Sequence, residues 1–401
     1  MYDRVVINVS LPPTQTFTGT TSSFMRMSQV WRQVAASAKV VFDNEKHFLD
    51  LAHTRIQLSN SGNQPLDVRI KLSTDVKNTT PTANLLREHI SRLQTLDIRV
   101  PTYETAASLV SSIGEGKPAP LLERLDIVVE QNLSMHHPAF TALPNAFYPC
   151  PRLTHLTIPG MPLPVRNTPH FLNLTSLTID SMPFFPDIDI ENIMDILEST
   201  KDLLHFTYRG RDVFSYNITS TLDYPRIVSM PHLTSVDVSA PGCGLDILRA
   251  LDAPLLTYAR FDGWRDEEAT EEWVDSLTEP ISASLRRISQ RSPNLTHLEL
   301  RSTVMFNPGD DYQWLMSDSA FPRLEVLRLD AADITDSALR LGASGMESLK
   351  RLELLACEGV SGDGVLKFVE GRNQGFELLI DTCTGVKPED LAKLSKLVKV
   401  L

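Results

Sequence analysis

Two cysteines near the C-terminal end are the first residues whose type and spacing could support chemistry. Cys357 opens the run Cys-Glu-Gly-Val and Cys383 opens the similar run Cys-Thr-Gly-Val, so the two thiols are 26 residues apart. A pair of thiols can form a disulfide, bind a soft metal ion, or pack as small apolar side chains. The matched surroundings of Cys357 and Cys383 indicate a repeated structural position rather than a catalytic site.

No other pattern in the chain predicts catalysis. The sequence contains no phosphate-binding glycine loop, no H-E-x-x-H, no G-x-S-x-G and no paired C-x-x-C. Gly242-Cys243-Gly244 lacks the spacing of a dinucleotide-binding loop and predicts a turn before a helix. His136-His137 lies in a Pro-rich loop without a nearby cysteine or a spaced acidic partner, which indicates a surface position. We therefore predict a protein that is not an enzyme, with no metal site and no cofactor.

Composition and charge restrict the possible partners. The 401 residues are 42% hydrophobic, and 38 basic against 50 acidic residues give a net charge of −12. A negative field of this kind disfavours nucleic acid and anionic membranes as partners. No run of 18 apolar residues predicts a membrane span, and the first ten residues do not resemble a secretion signal. Four scattered cysteines fit a reducing compartment, so we expect a cytoplasmic or nuclear monomer.

A short phrase of apolar residues at spacings of three and two recurs along the chain, as in Leu295, Leu298 and Leu300. Successive copies begin 21 to 39 residues apart. A period in the twenties with this phrase is the signature of leucine-rich repeats. The eleven copies begin at Leu93, Leu122, Leu153, Leu174, Leu203, Leu233, Leu256, Leu295, Leu324, Leu349 and Gly375.

Each copy of the phrase predicts a short strand that cannot bury its apolar side alone. Stacking the copies in parallel gives them a common core. The segments between copies predict helices at 191–200, 245–251 and 337–341, where apolar residues recur three and four apart or follow acidic residues. Prolines before many strands predict the end of a helix and an extended entry into the strand. The expected fold class is α/β, a leucine-rich-repeat solenoid with a curved parallel sheet inside and helices outside.

Two longer segments interrupt this rhythm. In the 39-residue step, Trp273, Leu277, Ile281, Leu285 and Ile288 recur at helical spacing, and Pro280 must kink or divide the helix. We expect an enlarged outer helix with an acidic face, and a docking knob is the alternative. The second segment, 209–224, is polar and aromatic and predicts a loop over one rim of the sheet. In the cysteine-containing class of leucine-rich repeats, the positions of Cys357 and Cys383 imply thiols packed under a turn.

The N-terminal segment contains four stretches outside the repeated phrase: Leu11-Pro12-Pro13, Met27-Ser28-Gln29-Val30-Trp31-Arg32-Gln33-Val34-Ala35, residues 37–42 and Leu58-Ser59-Asn60-Ser61-Gly62-Asn63-Gln64-Pro65-Leu66. In these stretches it resembles the F-box leucine-rich-repeat proteins of mushroom-forming fungi. In that family the F-box docks on the adaptor of a cullin-type (SCF) ubiquitin ligase and the repeats hold the protein substrate. The resemblance implies an adaptor-binding set of Leu11, Pro12, Phe24, Met27, Val30 and Trp31.

This segment departs from the family pattern in one helix. Residues 14–22 are polar and β-branched where the family has an apolar helix, and such residues are poor helix formers. The domain division we predict is 1–72 for a small helical F-box-like cap and lead-in, and 73–401 for the repeats. Two functions remain open: a substrate receptor of the ubiquitin ligase, and a stand-alone interaction scaffold that has lost adaptor binding and uses the segment only to cap the first repeat. A third hypothesis is a regulator of a small GTPase. That activity would require an Arg or Asn at the edge of a strand, and the sequence singles out no such residue.

The side chains that alternate with the apolar ones should face solvent on the concave side of the sheet, which we call the wall. On its C-terminal half, alternating signs predict a charge ladder formed by Arg260, Glu299, Arg328 and Glu353. We expect these charges to pair with one another in a structural role that keeps the wall soluble, and a charged recognition strip is the alternative. On its earlier half, the weakly charged surface and the aromatic rim predict the binding site for a protein substrate or peptide. The residues of that predicted site are Thr157, Pro159, Thr178, Asp180, Thr207, Arg209, Phe214 and Tyr216.

Overall fold

The computed structural model describes residues 38–43, 55, 58–72, 80–130, 146–159, 172–180, 190–209, 226–239, 243–263, 281–305, 308–372 and 375–401. Short strands recur throughout these ranges and most of them join one 14-stranded parallel sheet. The strands are β1 (Ala38–Asp43), β2 (Leu66–Lys71), β3 (Leu93–Val100), β4 (Arg124–Val129), β5 (His155–Pro159), β6 (Ser176–Asp180), β7 (His205–Arg209), β8 (Val228–Ser229), β9 (Ser235–Ser239), β10 (Leu251–Asp252), β11 (Tyr258–Asp262), β12 (His297–Arg301), β13 (Val326–Asp330), β14 (Arg351–Leu355), β15 (Glu377–Asp381) and β16 (Lys399–Val400).

The sheet follows chain order, except that β8 and β10 pair with each other in a separate two-stranded sheet. Helices connect many of the strands and bury one face against the apolar side of the sheet, as Leu109, Val110 and Ile113 do at 0% exposure. They are α1 (Thr80–Arg87), α2 (Tyr103–Gly114), α3 (Ile190–Ser199), α4 (Cys243–Ala250), α5 (Ile281–Arg291), α6 (Pro308–Leu315), α7 (Asp336–Gly342), α8 (Gly362–Val369) and α9 (Pro388–Leu394).

All eleven copies of the repeated phrase form strands, and they stack in register. Leu298 of β12, for example, lies opposite Ala259 of β11 and Leu327 of β13. Leu298 and Leu327 are 1% and 0% exposed, and truncating a leucine buried to this degree typically costs about 2–5 kcal/mol. The predicted fold class, an α/β leucine-rich-repeat solenoid, is confirmed.

The sheet also extends into the segment that the sequence predicted as a cap. Strands β1 and β2 pair in parallel with each other, and β2 pairs with β3. In β2, Leu66, Val68 and Ile70 are 2% exposed or less, with polar residues between them. The segment 66–72 lacks the recognisable phrase, yet its alternation is that of a strand with one buried face. The domain division at residue 72 stays a prediction.

The predicted helices at 191–200, 245–251 and 337–341 correspond to α3, α4 and α7. The helix predicted across the 39-residue step is described only in part. The described part is α5, Ile281–Arg291, which buries Ile281, Leu285 and Ile288. The division of the helix at Pro280 stays a prediction. Residues 264–280 lie outside the described residues.

The prolines before the strands occupy tight turns rather than extended entries. The N–H of Leu256 donates to the carbonyl of Ala253 (3.1 Å), and that of Leu295 donates to Ser292 (3.2 Å). Each bond closes a four-residue turn in which proline, here Pro254 or Pro293, is the second residue. The fixed φ of proline suits that position. Pro293 follows the end of α5, whereas β10 lies between α4 and Pro254. What the two prolines share is therefore a chain reversal that the sequence did not predict.

A second repeated feature ties neighbouring repeats together just before each strand. The carbonyl of Thr234 accepts from the N–H groups of Thr257 (3.0 Å) and Tyr258 (3.1 Å) and from the hydroxyl of Thr257 (3.1 Å). One repeat further on, the carbonyl of Thr257 accepts from Thr296 N–H and His297 N–H (3.0 Å each) and from the Thr296 hydroxyl (3.0 Å). A threonine at this position therefore adds a side-chain bond to the backbone bonds that stack the repeats.

Arginines cap the C-terminal ends of helices from a neighbouring repeat. Arg372 donates to the carbonyls of Gly342 (2.9 Å), Gly345 (2.7 Å) and Met346 (2.8 Å), just where α7 ends. The last carbonyls of a helix have no partner within it and carry partial negative charge, so a guanidinium is well suited to them. Arg291 donates in the same way to Arg249 in the last turn of α4, at 2.7 Å.

Each of four consecutive strands is followed by a residue with a left-handed backbone conformation. Ser302, Ala331, Ala356 and Thr382 follow β12, β13, β14 and β15 with φ values of 47°, 49°, 49° and 56°. Residues other than glycine are strained in this region. The next residue in each case is small and buried under the turn: Thr303, Ala332, Cys357 and Cys383 are 1%, 2%, 0% and 6% exposed.

We predict that Ala331→Gly raises the free energy of unfolding by about 0.5–1 kcal/mol, because glycine has no Cβ to strain at φ 49°. The adjacent change Ala332→Gly is the matched control. Ala332 does not have a left-handed φ and is 2% exposed, so its replacement removes a packed methyl group and lowers stability. Urea unfolding of the three proteins measures both shifts, and a loss of stability in Ala331→Gly would contradict the prediction.

Candidate functional site

The two cysteines are buried in neighbouring repeats. Cys357 and Cys383 are free thiols, without a disulfide between them. The Cys357 thiol donates weakly to the carbonyl of Leu355 (3.3 Å), and the Cys383 thiol to that of Leu354 (3.5 Å). A hydrogen bond between the two thiols, with burial, raises the pKa of Cys357, and the same hydrogen bond lowers the pKa of Cys383 to about 7. Packing of both thiols under the turns therefore stays a prediction, and Cys383 is the more readily ionised of the two.

The outward side chains of the strands form a wall of three columns. The central column is Asp97, Asp126, Thr157, Thr178, Thr207, Asp237, Arg260, Glu299, Arg328 and Glu353. The column at the C-terminal ends of the strands is Arg99, Val128, Pro159, Asp180, Arg209, Ser239, Asp262, Arg301, Asp330 and Leu355.

A third column, at the N-terminal ends of the strands, was not predicted from the sequence. It includes three exposed histidines. The signal was present in the phrase, because this position also alternates with the buried residues. The column is Arg124, His155, Ser176, His205, Ser235, Tyr258, His297, Val326, Arg351 and Glu377.

On the C-terminal half of the wall, arginine and carboxylate side chains neutralise one another. Arg260 makes three ion pairs, with Asp237 (3.5 Å), Asp262 (3.5 Å) and Glu299 (3.9 Å). Burial raises the pKa of Asp237, and the attraction of Arg260 and then Arg209 opposes that rise. Arg260 therefore holds together carboxylates from its own strand and from both neighbouring strands.

A second group of ion pairs is centred on Arg328 and Glu353. Arg328 pairs with Glu353 (3.4 Å) and Asp330 (3.5 Å), while Arg301 pairs with Asp330 (2.9 Å) and Arg351 with Glu353 (2.6 Å). Glu299 and Arg328 lie opposite each other in the register without an ion pair between them. The predicted ladder is therefore two adjoining clusters. Its structural role stays a prediction, because ion pairs at exposed positions often contribute little to stability.

The N-terminal end of the wall is neutralised in a similar way. Asp97 pairs with Arg69 (2.7 Å) and Arg99 (3.1 Å), and only 7% of its side chain is exposed. One strand further on, Asp126 pairs with Arg124 and also accepts a hydrogen bond from the Thr157 hydroxyl (2.7 Å). Ion-paired surface thus lies on both sides of the middle of the wall.

The middle of the wall, formed by the outward residues of β5, β6 and β7, is different, and we call it the neutral window. Thr157, Thr178 and Thr207 lie side by side in register, with Asp180 opposite Arg209. The hydroxyls of Thr178 and Thr207 make no hydrogen bond with any described residue, and both residues are half-buried. The neutral window therefore presents hydrogen-bonding groups that are still available to a partner.

Most of the predicted binding residues are brought together in this window, with exceptions. Thr157, Thr178, Asp180, Thr207 and Arg209 lie on three adjacent strands, as their positions in the repeat require. Pro159 is correctly placed in β5 but is buried, so it offers little surface to a partner. The remaining predicted residues, Phe214 and Tyr216 of the rim and Leu11, Pro12, Phe24, Met27, Val30 and Trp31 of the adaptor-binding set, lie outside the described residues.

The wall offers a surface rather than a cavity. Two open depressions, of about 470 and 280 Å³, occur elsewhere, one beside Thr80 and Asn84 of α1 and one beside Gly345 and Arg372. Neither includes a residue of the neutral window. Small-molecule sites are usually concave enough to enclose most of the ligand, so the open window is better suited to a peptide or a protein.

Within the described ranges, no group of three or more His, Cys, Asp and Glu side chains is arranged to hold a metal ion. No helix in the described part of the chain is both long enough and apolar enough to cross a lipid bilayer.

The repeated phrase, the in-register parallel sheet and the packed helices define a leucine-rich-repeat solenoid. No protein-family model matches the chain, and no curated protein matches it. Among solved structures, the chain is similar to a Bacteroides fragilis protein, with 13% identity, a TM-score of 0.40, and coverage of 86% of this chain and 76% of that one. It is also similar to the mouse RP105/MD-1 complex, with 14% identity, a TM-score of 0.44, and coverage of 86% and 51% respectively. These similarities are distant.

The ion-pair pattern predicts that two wall arginines differ in their effect on stability. Replacing Arg260 by methionine leaves Asp237 and Glu299 without their shared cation, so we expect a loss on the order of 1–2 kcal/mol in the free energy of unfolding. The matched change Arg209→Met removes an exposed arginine with no ion pair to a described residue and should cost less than about 0.5 kcal/mol. Urea unfolding at low and high salt measures the stability of both variants. Equal losses in the two variants would show that the ion pairs of Arg260 do not stabilise the fold.

Proposed function

We propose that the chain is a non-catalytic protein-binding module that holds a peptide or protein segment on the neutral window. The observation that carries the proposal is the contrast along the wall: side chains on both flanks are engaged in ion pairs, and those of Thr178 and Thr207 in the middle are not. A binding surface needs groups that can exchange water for a partner at low cost.

Covering the neutral window with a partner costs less free energy of desolvation than covering its ion-paired flanks. A partner that covers Arg260 or Arg328 must desolvate ion pairs that already satisfy each other, and the loss of hydration often equals the new attraction. Covering Thr178 or Thr207 requires only that a hydroxyl exchange its water for a hydrogen bond. Binding sites tend to place such uncharged, well-packed contacts at the centre and charged groups at the rim.

The window has the size of an interface centre rather than a whole interface. Three strands about 4.8 Å apart and five residues of about 3.3 Å each give roughly 10 by 13 Å. A stable protein complex buries about 800 Å² on each partner. A bound protein would therefore extend over neighbouring parts of the wall, with the window supplying the contacts that most affect affinity.

At a finer level, we propose that the module is the substrate receptor of a cullin-type ubiquitin ligase. The support is the resemblance of the N-terminal segment to the F-box leucine-rich-repeat proteins of mushroom-forming fungi, carried by Leu11, Pro12, Phe24, Met27, Val30 and Trp31. In this function the N-terminal segment binds the ligase adaptor and the neutral window holds the target. The alternative is a scaffold that binds its partner on the same window but has lost the adaptor contact.

The neutral window is tested with a blocking substitution. Peptides are selected from a random phage-displayed library on the full chain, and their affinities are then measured by fluorescence anisotropy. We expect Thr178→Arg to weaken the selected peptides at least tenfold, because a long charged side chain fills the middle of the window. The control is Val326→Arg, which places the same side chain on the wall outside the window and should leave the affinities unchanged.

If the control weakens binding as much as Thr178→Arg does, the selected peptides occupy another part of the wall. If no peptide binds a sample that circular dichroism shows to be folded, the chain does not recognise peptides on this surface.

The receptor function is tested by a pull-down of the full chain with the purified cullin adaptor. We expect retention of the adaptor by the unmodified chain and its loss in the double variant Val30→Glu/Trp31→Ala, because a buried charge and a lost indole remove the centre of an apolar contact. Thr178→Arg, which lies on the wall, should bind the adaptor normally. Failure of the unmodified chain to retain the adaptor would favour the scaffold alternative.

A further inference from the structure

Arg209 is the exception among the arginines of the wall. Every other arginine that the described strands place there makes an ion pair with a carboxylate: Arg69, Arg99, Arg124, Arg260, Arg301, Arg328 and Arg351. Arg209 is exposed at the end of β7, and its guanidinium forms no ion pair or hydrogen bond with any described residue. Its guanidinium therefore keeps five hydrogen-bond donors available.

The neighbours of Arg209 do not neutralise it. Asp180 lies opposite it in the register on one side and Ser239 on the other, and no ion pair joins either of them to the guanidinium. Asp237, diagonally across on β9, is attracted to Arg209, but its Oδ2 atom accepts a hydrogen bond from Arg260 at 3.5 Å. In the same column, Arg301 does pair with its in-register neighbour Asp330, at 2.9 Å. The register alone would allow the same pair at Arg209.

The whole outward row of β7 is rich in available donors. His205, Thr207 and Arg209 alternate along the strand, and the side chain of none of the three makes a hydrogen bond with a described residue. The next strand adds the hydroxyls of Ser176 and Thr178, in register with His205 and Thr207. A partner that satisfies this row must bring acceptors, and the strongest acceptor for a guanidinium is a carboxylate, which it binds through two parallel hydrogen bonds.

We propose that the neutral window binds an extended acidic peptide segment and that Arg209 anchors one of its carboxylate side chains. This inference rests on the proposed function, since it names the chemistry of the segment that the window holds. Arg209 sets the position of the acidic residue along the peptide, and Thr178 and Thr207 contact the residues next to it. The ion pair missing at Arg209 in the free chain is then completed by the partner.

A charge exchange tests the proposal. The same random phage-displayed peptide library is selected in parallel on the unmodified full chain and on Arg209→Glu. We expect the first pool to be enriched in Asp and Glu at one peptide position, and the second to be enriched in Lys and Arg at that position. Replacing the acidic residue of a selected peptide by alanine should weaken binding about tenfold to the unmodified chain and leave binding to Arg209→Met unchanged.

Two variants serve as matched controls. Arg301→Met removes an arginine from the same column, but one that is already paired, and should leave the preference for an acidic residue unchanged. Asp180→Asn removes the nearest carboxylate in the register and should strengthen the preference, because less negative charge then opposes the ligand.

The outcomes separate this inference from the proposed function. An acidic preference that persists in Arg209→Glu overturns the role of Arg209. Selected peptides that show no acidic preference, but lose binding in Thr178→Arg, overturn the inference and leave the window as a binding site. The absence of any binding peptide on folded protein overturns both.

Discussion

The structure depends on hydrogen bonding between repeats in register. A single strand of five residues cannot bury its apolar side or satisfy its backbone, so each repeat is stable only against its neighbours. The carbonyl before each strand receives two N–H groups and often a threonine hydroxyl of the next repeat, as at Thr234 and Thr257. These bonds fix the register, and the register decides which side chains meet on the wall.

Much of the fold could be predicted because the same phrase of apolar residues recurs along the chain. Every copy of the phrase became a strand, since the spacing of three and two places the same residues inward each time. The strand at 66–71 carries only alternation, a weaker signal that the longer phrase obscured. The arginine caps, such as Arg372 on the end of α7, could not be predicted, because neither the arginine nor the carbonyls that it contacts belong to the repeated phrase.

The position of the site could be predicted from the sequence, but its side-chain contacts could not. The columns of the wall follow from the alternation of inward and outward residues along each strand, so the sequence alone places Thr157, Thr178 and Thr207 side by side. The split of the charge ladder between Glu299 and Arg328 depends on side-chain rotamers, which periodicity does not determine. For the same reason, the sequence could not distinguish Arg209, which lacks a partner among the described residues, from Arg301, which has one.

The alternating charges of the central column also limit how the number of repeats can change. Loss of the repeat that contains Glu299 would bring Arg260 next to Arg328, two like charges on strands about 4.8 Å apart. Loss of the repeat that contains Thr178 would only bring Thr157 next to Thr207, which is electrostatically neutral. Duplication or deletion of repeats is therefore tolerated best in the middle of the solenoid, so the binding surface can change in length while its charged flanks stay fixed.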